Sequence, residues 1–256
     1  MGSDNDVVHA ARISTDPELT EAIKAFEPGE VWGLINFLMK NRHGTPFEHN
    51  SFRFYVKAPI FVFREYHRHR IGWSYNEMSG RYTELLPEFY VPGRGRNMVR
   101  KEGTKTGAYS YEPDEELREW FSANLIANSR MTWEMYQEAL YRGVVNEVAR
   151  MLLPVNIMSQ MWATANARSI MAFLSLRTER PKGYVVPMPD DDNLLGFFEM
   201  VVDKDGNGPL DAGTWAMNPS KPQREIAMVA ECVEEAFAQA MPLTYEAWNL
   251  HGRTAP

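Results

Sequence analysis

Cysteine is almost absent from this chain of 256 residues, which holds only Cys232. A single cysteine excludes an internal disulfide framework and a zinc site built from several thiolates. It fits a reducing compartment, and we therefore expect a cytoplasmic protein. Residues 1–8 include Asp4 and Asp6 and contain no apolar run, so we expect no signal peptide.

Long apolar runs and an excess of basic residues are also missing. The apolar runs at 60–63 and 151–155 are far shorter than the about 20 residues that a transmembrane helix needs. We therefore expect no membrane partner. With 27 Lys and Arg against 34 Asp and Glu, the formal net charge is −7. Non-specific nucleic-acid binding needs a broad positive surface, so we expect no nucleic-acid partner either.

The composition that is present is typical of a globular protein, with 44% apolar and 24% charged residues. Hydrophobic periodicity and turn signals predict a half-buried strand over 50–57 and a set of helices. The predicted helices cover about 30–42, 59–70, 113–141, 144–153, 166–176 and 220–241. Many helices with few strands indicate an α+β fold, and the length suits one domain over 1–256.

Residues 178–221 differ in texture from the rest of the chain, because they contain five glycines, five prolines and a net charge of −4. We interpret them as an insertion of loops that has room for one hairpin. Within them, Asp203 to Gly208 matches the first half of an EF-hand loop, but Thr214 stands where a calcium-binding glutamate is required. A hairpin turn explains the same residues, and we expect no metal site.

The densest polar cluster covers residues 64–82 and contains four arginines and two histidines. A helix over 59–70 would place Arg64 and Arg68 on one face, where they repel each other unless an anion lies between them. The planar guanidinium pairs well with phosphate or carboxylate, and Ser79-Gly80-Arg81 suits a terminal phosphate. A solvated basic face remains an open alternative. A metal at His67 and His69 is disfavoured by the neighbouring arginines.

Several segments resemble, in order, those of the flavin-dependent thymidylate synthases, the ThyX family. The strongest is Arg68-His69-Arg70 followed by the serine, asparagine, glutamate and arginine of 74–82. Residues 7–14 look like the family's first strand. The remaining matching segments are 45–59, 149–154, 166–177 and 222–226. The resemblance implies a helix-rich domain with a small antiparallel sheet.

The chain departs from the family pattern at four places. Residues 71–78 hold one residue more than the family usually has between Arg70 and the later serine. Glu65 stands where a glutamine is common, and Ala172 where an asparagine is common. The insertion at 178–221 separates Arg177 from the closing helix, where the family has a short link.

The resemblance implies reductive methylation of dUMP to dTMP. Methylenetetrahydrofolate would give the carbon, FAD would carry the hydride, and NADPH would reduce the flavin. The family forms homotetramers whose subunits share active sites, so the same assembly is implied here. Cys232 has no role in this chemistry. It lies three residues after Val229 on the last predicted helix, where we expect it on or beside the buried face.

The resemblance also implies the site residues, and Arg177 is the catalytic one because it would stabilise the ionised uracil. Without the family, Asn166 is equally an N-cap and Arg150 a cation near a helix C-terminus. The implied FAD-binding residues are His49, Ser51, Arg68, His69, Arg70, Ile71, Asn76, Glu77, Asn166, Ala167, Arg168 and Ala172. The implied dUMP-binding residues are Glu65, Arg68, Glu77, Met78, Ser79, Gly80, Arg81, Arg150 and Arg177.

One alternative belongs to a different class of protein. The arginines and aromatic residues of 64–82 also suit a nucleotide- or RNA-binding module. The colour of the purified protein separates the two, because a member of the flavin-dependent family should be yellow.

Overall fold

The structure is a computed structural model, and it describes residues 2–15, 26–103, 111–178 and 221–256. Its helices are α1 Asp4–Arg12, α2 Pro28–Lys40, α3 Ile60–Tyr66, α4 Glu115–Tyr141, α5 Asn146–Ala149, α6 Ala167–Arg177, α7 Arg224–Ala240 and α8 Pro242–Leu250. Its strands are β1 Phe52–Pro59, β2 Trp73–Glu77, β3 Val99–Arg100, β4 Tyr111–Glu112 and β5 Met158–Ala165. The predicted α+β class is confirmed.

The strands form two small sheets. One has the order β1-β5-β2, and in the other β3 pairs antiparallel with β4. Residues 179–220 of the predicted insertion, with the EF-hand-like stretch, lie outside the described residues. The described residues fall into two compact units, one within 1–52, 165–223 and 230–256 and the other within 53–164 and 224–229. The single domain over 1–256 stays a prediction.

The first unit begins with a helix where we expected a strand, so the prediction for residues 7–14 was wrong. The Ser3 amide donates to the Asp6 carboxylate over 2.7 Å, which caps the first turn of α1. The buried Asp4 carboxylate accepts from the amides of Leu243 (3.0 Å) and Thr244 (2.8 Å) at the start of α8. Val7 and Val8 are buried, so packing overrides their preference for strands.

Helices α2, α6, α7 and α8 supply much of the core of the first unit. The predicted apolar stripe of α2 is confirmed, since Val31, Ile35, Leu38 and Met39 are buried. On α7, Val233 and Phe237 are buried, whereas Cys232 is exposed. Cys232 therefore lies beside the buried face, one of the two expected positions, because the buried stripe continues from the half-buried Val229 to Val233 and leaves the cysteine at its edge.

The second unit contains the three-stranded sheet and α4. The alternation predicted for β1 is confirmed, with Val56 and Ala58 buried and Arg53 and Lys57 exposed. Asp114 caps α4 by accepting from the Leu117 amide over 2.9 Å, as the predicted helix start requires. In the part of the chain that the structure describes, the helices are all too short or too polar to span a bilayer.

Two predictions in the second unit were wrong. Helix α3 ends at Tyr66 and not near Arg70, so Arg64 and Arg68 do not share a helical face. The loop expected up to Tyr82 contains strand β2, which pairs with β5. Both errors have one cause, because the partner strand that fixes this segment lies more than 80 residues away, as in the bond from the Met78 amide to the Gln160 carbonyl (2.9 Å).

His251 links the end of α8 to α2, and this contact makes stability depend on pH. Its Nε2 lies 2.7 Å from Asn36 Oδ1. Burial, reinforced by the nearby charges of Arg42 and Lys40, lowers the pKa of His251 to about 4. A histidine in the unfolded chain titrates near 6.5. Below about pH 6.5 the unfolded chain therefore binds a proton that the folded chain does not, and this lowers the free energy of unfolding.

We expect the melting temperature to fall between pH 7 and pH 4.5 by more in the wild type than in His251→Gln, whose amide can still donate to Asn36. At about 2–4 °C per kcal/mol for a domain of this size, the difference is measurable by thermal melts. His43→Gln, at an exposed position, is the control. Equal losses in the wild type and in His251→Gln would contradict the assignment.

Candidate functional site

The predicted Arg-His-Arg motif lies on a turn that follows α3. The amides of His67, Arg68 and His69 donate to the carbonyls of Phe63 (2.8 Å), Glu65 (3.2 Å) and Tyr66 (3.0 Å), which tightens the chain as the helix ends. The Tyr75 hydroxyl donates to the His69 carbonyl over 2.7 Å and lies 3.3 Å from the Tyr66 carbonyl. Strand β2 therefore returns along the turn and fixes its shape.

Three aromatic rings form the base of this turn. The ring of the buried Tyr66 meets those of Trp73 and Tyr75 edge-on, at centroid distances of 5.3 and 5.8 Å. Trp73 and Tyr75 stack on each other at 5.8 Å. Burial raises the pKa of both tyrosines, so their hydroxyls stay neutral donors. The base of the turn is thus built from packed aromatic rings.

The predicted FAD-binding residues of the second unit lie on this turn and on β2. Arg68 and Arg70 are exposed, and the Ile71 side chain is 91% exposed although it is apolar. His69 is half-buried, and Asn76 and Glu77 are exposed on β2. The Glu77 carboxylate accepts a hydrogen bond of 2.8 Å from the Ser159 hydroxyl on β5. The turn thus offers two guanidinium groups to a ligand in solution.

Four predicted dUMP-binding residues come together around Glu147. The Arg81 Nε lies 3.1 Å from the Glu147 carboxylate, and the Arg150 Nε donates to the Glu147 carbonyl over 3.3 Å. The buried Gly80 packs beside Arg150, since a Cβ on it would lie 3.4 Å from Arg150 Cδ, an ordinary contact distance. The Ser79 hydroxyl accepts from the Arg81 amide over 3.3 Å. Arg81 pairs with the Glu147 carboxylate and Arg150 with the Glu147 backbone carbonyl, so the group keeps a net positive charge that suits a phosphate.

The first unit holds the second set of predicted FAD-binding residues, at the N-terminus of α6. The predicted N-cap is confirmed, since the Asn166 side chain accepts from the Ser169 amide over 2.9 Å. The Ala167 amide donates to the Asn50 side chain over 2.7 Å, and Asn50 lies between the exposed His49 and Ser51. Asn50 therefore brings His49 and Ser51 to the start of α6.

Arg168 has two fixed acceptors in the same unit. Its Nη1 pairs with the Glu48 carboxylate, and its Nε donates to the Pro256 carbonyl over 2.6 Å. Helix α6 then carries Ala172, which is exposed, and ends at the half-buried Arg177. Arg177 lies ten positions after Ala167, and this is about 15 Å along a helix. The structure does not bring Arg177 to the N-terminal group.

The remaining predicted dUMP residues, Glu65 and Met78, lie in the second unit. Glu65 is half-buried in the last turn of α3, and the half-buried Met78 follows β2. Sequence reasoning missed four residues that hold the site side chains, namely Glu48, Asn50, Glu147 and Ser159. Glu147 precedes Arg150 by three residues, and this spacing could have predicted their contact, because residues three apart on a helix are neighbours. The others are recognised only by contacts between distant segments.

The fold and the site together define the class of protein. It is a helix-rich α+β protein whose exposed arginines suit phosphate-bearing ligands. The model of the family described as "Thymidylate synthase complementing protein" matches residues 1–183. The chain is 45% identical to the flavin-dependent thymidylate synthase of Streptomyces avermitilis over 255 residues, 99% of this chain and 89% of that protein. It is 38% identical to that of Tropheryma whipplei, covering 99% of this chain and 91% of the relative.

Solved structures agree with these relatives. The UMP/dUMP methylase PolB from Streptomyces cacaoi, bound with 5-Br dUMP, aligns with a TM-score of 0.78 at 38% identity and covers 100% of this chain and 94% of that chain. The chain belongs to the family of flavin-dependent thymidylate synthases. The predicted enzyme class is confirmed, and the alternative of an RNA-binding module receives no support.

Tyr75→Phe tests whether β2 fixes the turn. Phenylalanine keeps the stacking on Trp73 but removes the hydrogen bond to the His69 carbonyl, which should cost about 1–2 kcal/mol. We expect a folded protein with a slightly lower melting temperature and faster hydrogen exchange at the amides of 67–72. Tyr141→Phe, at a side chain that is 88% exposed, is the matched control. Unchanged exchange in Tyr75→Phe would show that the turn is held in another way.

Proposed function

We propose that the protein methylates dUMP to dTMP reductively, with methylenetetrahydrofolate as carbon donor, FAD as hydride carrier and NADPH as reductant, in the cytoplasm. The observation that carries the proposal is the grouping of Ser79, Gly80, Arg81 and Arg150 around Glu147. A nucleoside monophosphate offers one terminal phosphate to such a group. The structural neighbour PolB is itself described as a UMP/dUMP methylase bound with 5-Br dUMP, which supports the same substrate class.

The residues present fit a flavin dinucleotide. FAD carries two phosphates, and Arg68 and Arg70 are exposed on a turn whose base is fixed by Tyr66 and Tyr75. When bound, FAD supplies the hydride chemistry, which no side chain of this chain can provide. The turn would bind it with His69, Ile71, Asn76 and Glu77. The second set, from another subunit, would be His49, Ser51, Asn166, Ala167, Arg168 and Ala172.

In the same proposal the dUMP phosphate is bound by the Ser79 hydroxyl, the backbone at Gly80 and the guanidiniums of Arg81 and Arg150. Glu65, Arg68, Glu77 and Met78 complete the contacts to the nucleotide. Arg177 faces the uracil carbonyl, where negative charge develops as carbon 5 becomes nucleophilic. A fixed donor at such a point stabilises the transition state more than the ground state.

A homotetramer with shared active sites is the assembly that we propose. In the described part of the chain, α4 exposes large apolar side chains along its length, and a soluble monomer rarely exposes so many on one element. These are Leu117, Trp120, Phe121, Ile126, Met131, Met135 and Tyr141. Helix-on-helix packing between copies would bury them. Light scattering of the purified protein should give a mass of four chains.

The first prediction of the proposal concerns colour and turnover. We expect the purified protein to be yellow or to become yellow on reconstitution with FAD. We also expect it to form dTMP when dUMP, methylenetetrahydrofolate and NADPH are all present. UMP should be assayed in parallel, because PolB is described as acting on both nucleotides. A colourless protein that takes up no FAD would overturn the proposal.

Arg177→Ala tests the catalytic assignment. If Arg177 stabilises charge on the uracil, its loss should cost about 2.7–4 kcal/mol in the methylation step and leave FAD bound. Lysine should rescue poorly, because a point charge does not reproduce the planar two-donor contact. The structural alternative is a cation in the last turn of α6, worth roughly 0.3–1 kcal/mol of stability.

The two interpretations of Arg177 give different measurements. The catalytic one predicts a yellow, folded variant with weaker dUMP binding and little dTMP. The structural one predicts near-normal turnover and a small fall in melting temperature. Arg142→Ala is the matched control, since Arg142 ends α4 with an exposed ion pair of 2.6 Å to Glu138. Normal turnover in Arg177→Ala would remove it from the catalytic machinery.

A further inference from the structure

We propose that Gly44 and the C-terminal segment 252–256 position the Arg168 guanidinium for the flavin. The inference rests on the proposed function, in which Arg168 contacts FAD. It assigns a new role to residues that are remote from Arg168 in sequence and that neither the motifs nor the resemblance singled out. Gly44 and Pro256 are positioning residues, because they act on the ligand only through Arg168.

The first observation is the way in which Arg168 is held. Its Nε donates to the Pro256 carbonyl over 2.6 Å, and its Nη1 pairs with the Glu48 carboxylate. A guanidinium has five N–H donors in a fixed plane, so two acceptors on one side define its orientation. The side chain is still 43% exposed, so its remaining N–H groups are accessible to a ligand. The arginine is oriented before any ligand binds.

The second observation is the space at Gly44. A Cβ at this position would lie 2.6 Å from both Nε and Cζ of Arg168 and 2.8 Å from the Pro256 carbonyl oxygen. Gly44 has φ −79° and ψ −31°, which every amino acid adopts readily, so the backbone does not require glycine here. The lack of a side chain is needed only because the guanidinium and the carbonyl pack directly on the Cα.

The third observation is that the C-terminal segment is itself fixed. Arg253 is buried, and its guanidinium lies over the Trp248 ring at 3.9 Å and donates to Asn249 over 2.6 Å. The Thr254 carbonyl accepts from Arg42 Nη1 over 2.8 Å. The segment is therefore held at two consecutive residues after the bend at Gly252, and it presents the Pro256 carbonyl at a defined point.

These observations mean that the orientation of the Arg168 guanidinium and its positive charge have different origins. Arg168 keeps its positive charge wherever its side chain points, so loss of the segment would not remove the cation. It would restore rotational freedom to a long side chain, and ordering that side chain again would weaken ligand binding. We expect a loss of about tenfold in FAD affinity when either Gly44 or the segment 254–256 is altered.

The experiment is a double-mutant cycle on the full chain, with FAD affinity measured by titration. Gly44→Ala and Arg168→Ala are made singly and together. Gly33→Ala is the matched control, because a Cβ at Gly33 has no atom within 4 Å. A further variant ends after Arg253 and so removes 254–256 but keeps the buried arginine. Melting temperatures without flavin are recorded for the whole set.

If Gly44 acts through Arg168, Gly44→Ala weakens FAD binding about tenfold in the wild-type background and has no further effect when Arg168 is already alanine. The variant ending after Arg253 should behave like Gly44→Ala. Wild-type FAD affinity in Gly44→Ala, or equal losses with and without Arg168, would overturn the inference. So would coupling that appears only in the melting temperatures. Failure of the wild type to bind FAD would instead overturn the proposed function.

Discussion

An arginine keeps its charge inside a protein, and this constraint shapes both units of the molecule. Every guanidinium that the fold draws inward must meet a fixed acceptor, because an unpaired buried charge costs several kcal/mol. Arg253 meets this demand with Asn249 and Glu234, and Arg96 with Glu225 at 2.8 Å. The Tyr90 hydroxyl shares Glu225 at 3.0 Å, and burial together with that carboxylate raises the pKa of Tyr90 to about 12. These ion pairs stabilise the fold and are separate from the arginines of the proposed site.

Polar side chains orient the segments that carry the site by hydrogen bonds to the backbone. The side chains of Asn50 and Asn166 each accept a hydrogen bond from a backbone amide at the start of α6. The Tyr75 hydroxyl donates to the His69 carbonyl in the turn. Such bonds satisfy backbone groups that a helix end or a turn leaves open. Each contributes about 1 kcal/mol in net terms, yet together they fix where the neighbouring side chains stand. The rings of Tyr66 and Trp73 pack edge-on against each other at the base of the turn and help to hold it in place.

Local rules predicted the elements whose signals are local. Asn166 starts α6, and alternation marks β1, each within a few residues of the feature that it determines. Helix α1 was missed because the partner of Asp4 is Thr244, 240 residues away. The link from Arg81 to Glu147 spans 66 residues, and that from Ala167 to Asn50 spans 117. The site residues themselves came from the family resemblance, because charge and spacing alone left a solvated basic face equally open.

The two site arginines differ in what an incoming anion must displace. Arg81 is paired with Glu147 at a half-exposed surface, where such a pair is worth about 0–1 kcal/mol, so a phosphate with two negative charges can replace the carboxylate readily. Arg168 is held partly by the Pro256 backbone oxygen at its Nε, which can stay in place when an anion binds to the exposed N–H groups. The first arrangement suits a substrate that must bind and leave in each turnover. The second suits a cofactor that stays, since the guanidinium remains oriented whether or not its ligand is replaced.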